Sequence, residues 1–256
     1  MNANLIELKN DKDTVFVGDT HGDFDSSKRI IESYPLGNYR IVFLGDYVDR
    51  GPDSRGNIDY LLEQKEKHPV DLILLAGNHE FASILPCSPD DFWRRLNSKE
   101  KERYSSILTN LPWAVSIDEI IALHAALPDI KNINEINKIA KQGVNELGPK
   151  ICSDEHDDFF SMIWGDFVQE EGGFLGYSDK GRPAYGKDYF KRIMDDMGKN
   201  VLIRGHDYHS PEKMYHDKCL TLFTSCAYEK RTPKRIAILE KGKSVKTAND
   251  LEIKYL

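Results

Sequence analysis

Short apolar runs, each followed by a polar cluster, recur along the chain and predict strands of a buried sheet. These runs cover residues 14–17, 40–44, 71–75, 120–123 and 201–203. Helical periodicity fills the first two intervals: a helix capped by Asp25 or Ser26 runs to about Tyr34, and one capped by Asp53 or Ser54 runs toward residue 67. Strands that alternate with helices in this way are typical of an α/β layer fold.

Residues 81–111 are charged and have the apolar spacing of a helical subregion. The sequence contains no fixed-period repeat and no linker rich in proline, glycine and serine. We therefore expect residues 1–256 to form a single α/β domain.

Composition narrows the class of protein. The chain has 256 residues, is 40% hydrophobic and carries a net charge of −7 without a basic block, which disfavours a nucleic-acid partner. Its apolar runs are far shorter than the roughly 20 residues of a membrane-spanning helix, and residues 5–13 lack the apolar core of a signal peptide. We expect no membrane partner and a cytoplasmic location.

The four cysteines are widely spaced and include no C-x-x-C pair; they are Cys87, Cys152, Cys219 and Cys226. This spacing is typical of free, buried thiols in a reducing compartment. We expect none of them to be a nucleophile.

Residues of metal-binding type directly follow the predicted strands, where a rigid backbone can aim them. These residues are Asp19, His21, Asp46, Asn78, His124 and His206. Ligand sites gather at the carboxyl ends of strands, so we expect the five strand ends to converge on one crevice. A carboxylate shared by two cations lets six ligands hold a metal pair roughly 3.5 to 4 Å apart, and Asp46 is the expected bridge. Nitrogen and oxygen ligands of this kind favour manganese, iron or zinc over calcium.

A two-metal centre lowers the pKa of a bridging water, which can then attack a substrate without a serine or cysteine nucleophile. Arg50, in the Asp46 cluster, could clamp phosphate oxygens bidentately. His79 differs from the other histidines because the adjacent Asn78 already supplies a ligand, and Asp49 could orient its imidazole. We expect His79 to protonate a departing alkoxide, which points to hydrolysis of phosphate esters.

Three motifs carry a resemblance to a known family. They are Gly-Asp-Thr-His-Gly at residues 18–22, Gly-Asp-Tyr-Val-Asp-Arg-Gly at 45–51 and Gly-Asn-His-Glu at 77–80. They resemble the signature motifs of the phosphoprotein phosphatase family, and the likeness continues through Trp164-Gly165-Asp166 and Arg204-Gly205-His206.

This resemblance implies one calcineurin-like metallophosphoesterase domain, a β-sandwich flanked by helices in four layers (αββα). It implies two metal subsites, one formed by Asp19, His21 and Asp46 and the other by Asp46, Asn78, His124 and His206. It also implies that Arg50 binds phosphate and that Asp49 and His79 form the proton-donating pair. A second phosphate-binding arginine is expected after the Trp164 region, and Arg182 is our candidate because Tyr185-Gly186 follows it.

The sequence departs from the family pattern in two loops. His124-Ala125-Ala126-Leu127 stands where the family usually has His-Gly-Gly-Leu, and Ser225-Cys226-Ala227-Tyr228 replaces Ala-Pro-Asn-Tyr. The chain resembles the compact archaeal and bacterial members, and no partner such as a regulatory subunit is evident.

The expected activity is metal-dependent hydrolysis of phosphoserine and phosphothreonine in proteins. An open catalytic groove would accept phosphotyrosine as well. The phosphoprotein itself is then the expected partner, and two divalent metal ions, manganese above all, are the expected cofactors. One alternative is a dinucleoside polyphosphate hydrolase, against which Glu80 speaks because those relatives usually have aspartate there. A second alternative is a phosphoprotein-binding module without turnover, which would lack a ligand or the acid.

Overall fold

The structure, a computed structural model, describes residues 3–139, 157–228 and 230–256. In chain order, the strands in these ranges are β1 (Leu5–Leu8), β2 (Thr14–Val17), β3 (Arg40–Phe43), β4 (Leu72–Leu74), β5 (Ala114–Ile117), β6 (Ile120–Leu123), β7 (Asp166–Phe167), β8 (Phe174–Tyr177), β9 (Pro183–Tyr185), β10 (Val201–Arg204), β11 (Lys213–Met214), β12 (Cys219–Thr221), β13 (Arg235–Leu239) and β14 (Glu252–Tyr255). The α-helices are α1 (Phe24–Ser33), α2 (Ser54–Lys67), α3 (Asp91–Arg95), α4 (Ser98–Leu108), α5 (Asp158–Trp164) and α6 (Lys187–Met197).

Two larger sheets contain most of the strands. The first sheet has five strands in the order β14-β13-β2-β3-β4, and the second has six in the order β1-β5-β6-β10-β12-β11. Strands β2, β3 and β4 run parallel to each other, as do β6, β10 and β12. A third, small sheet with the order β7-β9-β8 lies outside these two.

The two larger sheets pack face to face. Alternate side chains of each sheet point into one shared apolar core, with Phe16 and Val42 from the first sheet and Ile120 and Ile203 from the second. The opposite face of the first sheet packs against α1, α2 and α4, and that of the second sheet packs against α5 and α6. The predicted four-layer αββα class is thus confirmed.

The strands that precede the polar clusters agree closely with the sequence prediction, and they belong to both sheets. Strands β2, β3 and β4 come from the first sheet, while β6 and β10 come from the second. Because strands within each set are parallel, their carboxyl ends lie at a common edge. The crevice is therefore formed where the edges of two packed sheets meet, rather than along one open sheet.

The start of α1 differs from the prediction. The N-cap is Asp23, whose carboxylate accepts a hydrogen bond from the Ser26 backbone N–H at 3.1 Å, while Asp25 lies exposed in the first turn. Asp53 caps α2 in the same way, as one of the two predicted caps. Several possible caps in succession made the first helix start ambiguous, because each can satisfy the same free N–H groups.

The predicted helical subregion over residues 81–111 contains α3 and α4, preceded by turns. A capping box formed by Asn97 and Glu100 begins α4. Within the described ranges, every helix is too short or too polar to span a bilayer.

Candidate active site and metal centre

All six predicted ligands are buried and lie together at the ends of the central strands. Asp46 lies between two histidines, with its Oδ2 atom 3.6 Å from His21 Nε2 and 3.5 Å from His124 Nε2. The backbone N–H groups of His206 and His21 tie the loops together by donating to the Asp19 carboxylate and to the Asp46 carbonyl. This geometry suits the predicted bridging position of Asp46.

The first predicted metal subsite combines Asp19, His21 and Asp46. His21 Nδ1 donates to the Val48 carbonyl at 2.9 Å, so the lone pair of the neutral ring is on Nε2. That Nε2 atom is buried, has no hydrogen-bond partner among the described residues, and lies 3.8 Å from Asp19 Oδ2. A buried, unpartnered lone pair beside two carboxylates fits a bound cation.

The second predicted subsite joins His124, His206, Asn78 and Asp46. His124 Nε2 lies 3.1 Å from both His206 Nδ1 and Asn78 Oδ1, and those two atoms are 3.0 Å apart. His124 Nδ1 donates to the Leu44 carbonyl, which leaves Nε2 as an acceptor. Acceptor atoms crowded this closely fit a shared cation better than a set of hydrogen bonds.

The backbone at these ligands is unusual. His21, Asp46 and His206 have φ values of 44°, 54° and 71°, a region that residues other than glycine rarely adopt. A Cβ on Gly77 would lie 2.4 Å from Asp46 Oδ1, and one on Gly205 would lie 2.1 Å from Asp19 Oδ1. These two positions therefore need glycine, because any side chain would displace a ligand.

Burial governs the protonation of the cluster. It lowers the pKa of His21, His124 and His206 and so favours the neutral ring, which is the form that binds metals. Burial and then the charge of Asp46 raise the pKa of Asp19. Burial opposes ionisation of Asp46 too, but the neighbouring imidazoles outweigh it and the pKa of Asp46 falls below its usual value.

Glu80 holds the loops that carry the ligands. Its carboxylate accepts hydrogen bonds from the backbone N–H groups of Asp46, Tyr47 and Gly77 at 2.7 to 2.9 Å. Burial, followed by the charge of Asp46, raises the pKa of Glu80 to about 8. The sequence singled out Glu80 only as a family marker. Its role depends on the turn at Asp46, which sequence patterns do not reveal.

His79 and Asp49 form a buried pair beside the ligands. His79 Nδ1 lies 2.6 Å from Asp49 Oδ2, and the other Asp49 oxygen accepts the Phe92 N–H at 2.7 Å. Trp93 Nε1 donates to the His79 carbonyl at 2.9 Å. His79 Nε2 is buried and has no hydrogen-bond partner in the part of the chain that the structure describes, and the ring centroid lies 4.9 Å from that of His21. These contacts thus hold both side chains in place and leave Nε2 as the ring nitrogen that can meet a substrate.

Cys87 lies next to this pair, with Sγ 3.5 Å from His79 Nδ1. Burial raises the pKa of its thiol, so Cys87 adjoins the pair as a neutral group. Cys219 is buried and Cys226 half-buried, and these three cysteines form no disulfide within the described ranges. Cys152 lies outside the described residues.

Arg50, predicted to clamp phosphate, is partly buried and has a φ of 70°. Its guanidinium donates to the hydroxyl of Tyr228 and lies 5.5 Å from the centre of that ring. The remaining guanidinium donors suit a phosphate group.

Arg182, the second predicted phosphate ligand, is linked to the second metal subsite. Its Nη1 atom lies 3.7 Å from Asp166 Oδ2, and its guanidinium lies 5.3 Å from the centre of the Trp164 ring. Asp166 Oδ1 in turn lies 3.7 Å from His206 Nε2. The structure thus places Arg182 at the edge of the site. Asp166 had no predicted role, and the only signal for it was the Trp164-Gly165-Asp166 motif.

The match to a known family covers most of the chain. The sequence model of the family described as calcineurin-like phosphoesterase matches residues 13–210, and the chain belongs to that family. The family and the clustered ligands support hydrolysis of phosphoesters at a metal centre.

Solved structures with similar folds include three phosphatases. A protein serine/threonine phosphatase from Saccharomyces cerevisiae with similarity to human PP5 matches with a TM-score of 0.78 and 21% identity, over 99% of this chain and 84% of that one. A cold-active protein-tyrosine phosphatase from a Shewanella species matches with a TM-score of 0.57 and 15% identity, over 99% of this chain and 82% of that one. A putative diadenosine tetraphosphatase matches with a TM-score of 0.53 and 17% identity, over 99% of this chain and 98% of that one. At these identities the likeness is one of fold.

Proposed function

We propose that this chain hydrolyses phosphomonoesters on serine and threonine side chains of proteins, as a member of the phosphoprotein phosphatase branch of its family. The supporting observation is the buried pair of His79 and Asp49 beside the metal-type ligands. The alkoxide that leaves phosphoserine is strongly basic and needs a proton in the transition state. The phosphate that leaves a dinucleoside polyphosphate needs none, so a dedicated acid favours the alkyl ester.

The donor set fits two divalent cations, with Asp46 facing both subsites. When bound, the cations supply Lewis-acid polarisation of the phosphoryl group and a water of lowered pKa. Mixed imidazole, amide and carboxylate ligands favour manganese, with iron or zinc as alternatives.

The remaining steps belong to side chains of this chain. Arg50 and Arg182 bind phosphoryl oxygens and orient the ester, since planar guanidinium groups match the geometry of phosphate. Asp49 holds the His79 ring through Nδ1 and thereby directs Nε2 at the leaving oxygen. His79 then transfers its Nε2 proton to that oxygen, and Asp49 stabilises the charged ring before the transfer.

The proposed partner is the phosphoprotein substrate itself. We expect phosphotyrosine peptides to be hydrolysed as well, because an aryl oxygen is an easier leaving group than an alkoxide. A phosphoprotein-binding role without turnover is not favoured, because it would require a missing ligand or acid, whereas all six predicted ligands and His79 are present and buried.

The test compares two substrates with protein that has been stripped of metal and reloaded with manganese, iron(II) or zinc. We expect phosphate release from a phosphoserine peptide with manganese, at a kcat/KM well above that for diadenosine tetraphosphate. A marked preference for the dinucleotide would overturn the proposal in favour of the alternative hydrolase. Failure to cleave either substrate with any metal would favour the binding module.

A further inference from the structure

Tyr208 lies two residues after His206 and stacks on Tyr228. The two ring centroids are 4.1 Å apart and the rings are inclined by 22°, a stacked arrangement. Phe223 meets the edge of the same stack, with its centroid 5.4 Å from that of Tyr228. Tyr208 therefore joins the loop after β10 to the Cys226–Tyr228 turn, which contacts Arg50.

Tyr208 is itself held from two sides. Arg231 donates to its hydroxyl at 2.8 Å, and the Arg231 guanidinium lies 5.5 Å from its ring centre. In the turn around Tyr208, the Asp207 carboxylate accepts hydrogen bonds from the His209 N–H at 3.0 Å and from the Ser210 hydroxyl at 2.7 Å. These contacts fix the backbone and the ring of Tyr208 in one place.

Arg50 contacts this stack through Tyr228. Among the described residues, the only hydrogen bond that its guanidinium makes is the one donated to Tyr228. Its Nε atom is buried without a partner. A long side chain has many rotamers, so the position of Arg50 depends on the fixed position of the Tyr228 ring.

We propose that Tyr208 is a positioning residue that holds Tyr228, and through it the guanidinium of Arg50, in the orientation that binds phosphate. This proposal rests on the proposed role of Arg50 as a phosphate ligand. In this role Tyr208 need not contact the reacting phosphoryl group. It acts by restricting the motion of its neighbour, so the loss of its ring weakens phosphate binding and leaves proton transfer by His79 intact.

The test replaces the ring and, separately, its hydroxyl. Tyr208→Leu removes the stack, and we expect the affinity of the manganese-loaded protein for inorganic phosphate to fall by about tenfold, the scale of one aromatic pair. The KM for a phosphoserine peptide should rise by a similar factor with little change in kcat. Tyr208→Phe keeps the stack and should restore both values to within about twofold of the wild type.

A double-mutant cycle separates positioning from general damage to the fold. If Tyr208 acts through Arg50, Tyr208→Leu should have almost no further effect on phosphate affinity in an Arg50→Ala background. Tyr34→Leu is the matched control, because Tyr34 also packs against a tyrosine, Tyr39, at the far end of α1. It should leave phosphate affinity unchanged.

Arg231→Ala gives a second test, because Arg231 is exposed and its loss does not threaten folding. It should weaken phosphate binding about threefold, and this effect should vanish when Arg50 is alanine. Unchanged phosphate affinity in Tyr208→Leu, or additive losses in the cycle, would contradict the proposal. Phosphate binding is measured without a substrate, so it tests Tyr208 even where the proposed protein substrate is wrong.

Discussion

The Nδ1 atom of His79 lies 2.6 Å from Oδ2 of Asp49, and both side chains are fully buried. This contact leaves Nε2 as the only free nitrogen of the ring, and that atom has no hydrogen-bond partner among the described residues. The backbone on both sides is also fixed, since Asp49 accepts from Phe92 N–H and the His79 carbonyl accepts from Trp93. A proton on His79 Nε2 is therefore placed for transfer to a group on the side of the ring that faces away from Asp49.

Replacement of His79 tests the acid. His79→Asn should lower kcat for a phosphoserine peptide by about 10²- to 10⁴-fold, the usual contribution of a general acid. The loss should be much smaller with 4-nitrophenyl phosphate, whose leaving group is weakly basic. Steady-state kinetics with both substrates, together with the metal content of the variant, measure this. Equal losses with the two substrates, at unchanged metal content, would refute a role in protonating the leaving group.

Arg182, one of the two predicted phosphate-binding arginines, should contribute to kcat/KM, whereas an arginine elsewhere on the surface should not. Arg182→Ala should reduce kcat/KM for the phosphopeptide by about 10- to 100-fold, the factor expected when a charge-assisted hydrogen bond is lost. Arg192→Ala is the matched control, because Arg192 pairs with Asp129 on the exposed side of α6. If both variants keep the wild-type kcat/KM, Arg182 is not a phosphate ligand.

Gly77 should be needed for metal binding. Gly77→Ala places a methyl group 2.4 Å from Asp46 Oδ1 and 2.8 Å from His124 Cε1, so one of the two ligands must move. We expect manganese affinity, measured by calorimetry, to fall at least about tenfold, as it does when a group that orients a ligand is disturbed. Gly173→Ala serves as the control because a Cβ there meets no atom of the described residues within 4 Å. Equal manganese affinity in the two variants would argue against this account of the site.

The sequence was sufficient to predict the elements that place the site. Residues 14–17 and 120–123 are mostly apolar and fully buried, and the observed strands have the same bounds. The ligands could be predicted because each lies within four residues of the end of such a strand. The end of a strand in a rigid sheet restricts the positions that the residues just after it can occupy.

Other parts of the site depend on contacts between residues far apart in the chain. Asp166 joins Arg182 to His206 only because the small sheet of β7, β8 and β9 lies beside β10. Tyr208 and Tyr228 are 20 positions apart, and their stack depends on the turns that present them. No periodicity or composition signals such pairings, because tertiary packing determines them.

The most direct test of the central claim is phosphate release from a phosphoserine peptide by the Asp46→Asn variant and by wild-type protein, each stripped of metal and then titrated with manganese. Asparagine keeps the size of Asp46 but removes the charge that faces both subsites. The account predicts that the wild type binds two manganese ions and becomes active as they bind, whereas the variant loses one of the two and nearly all activity. Wild-type turnover without added metal, or an Asp46→Asn variant as active as the wild type, would contradict it.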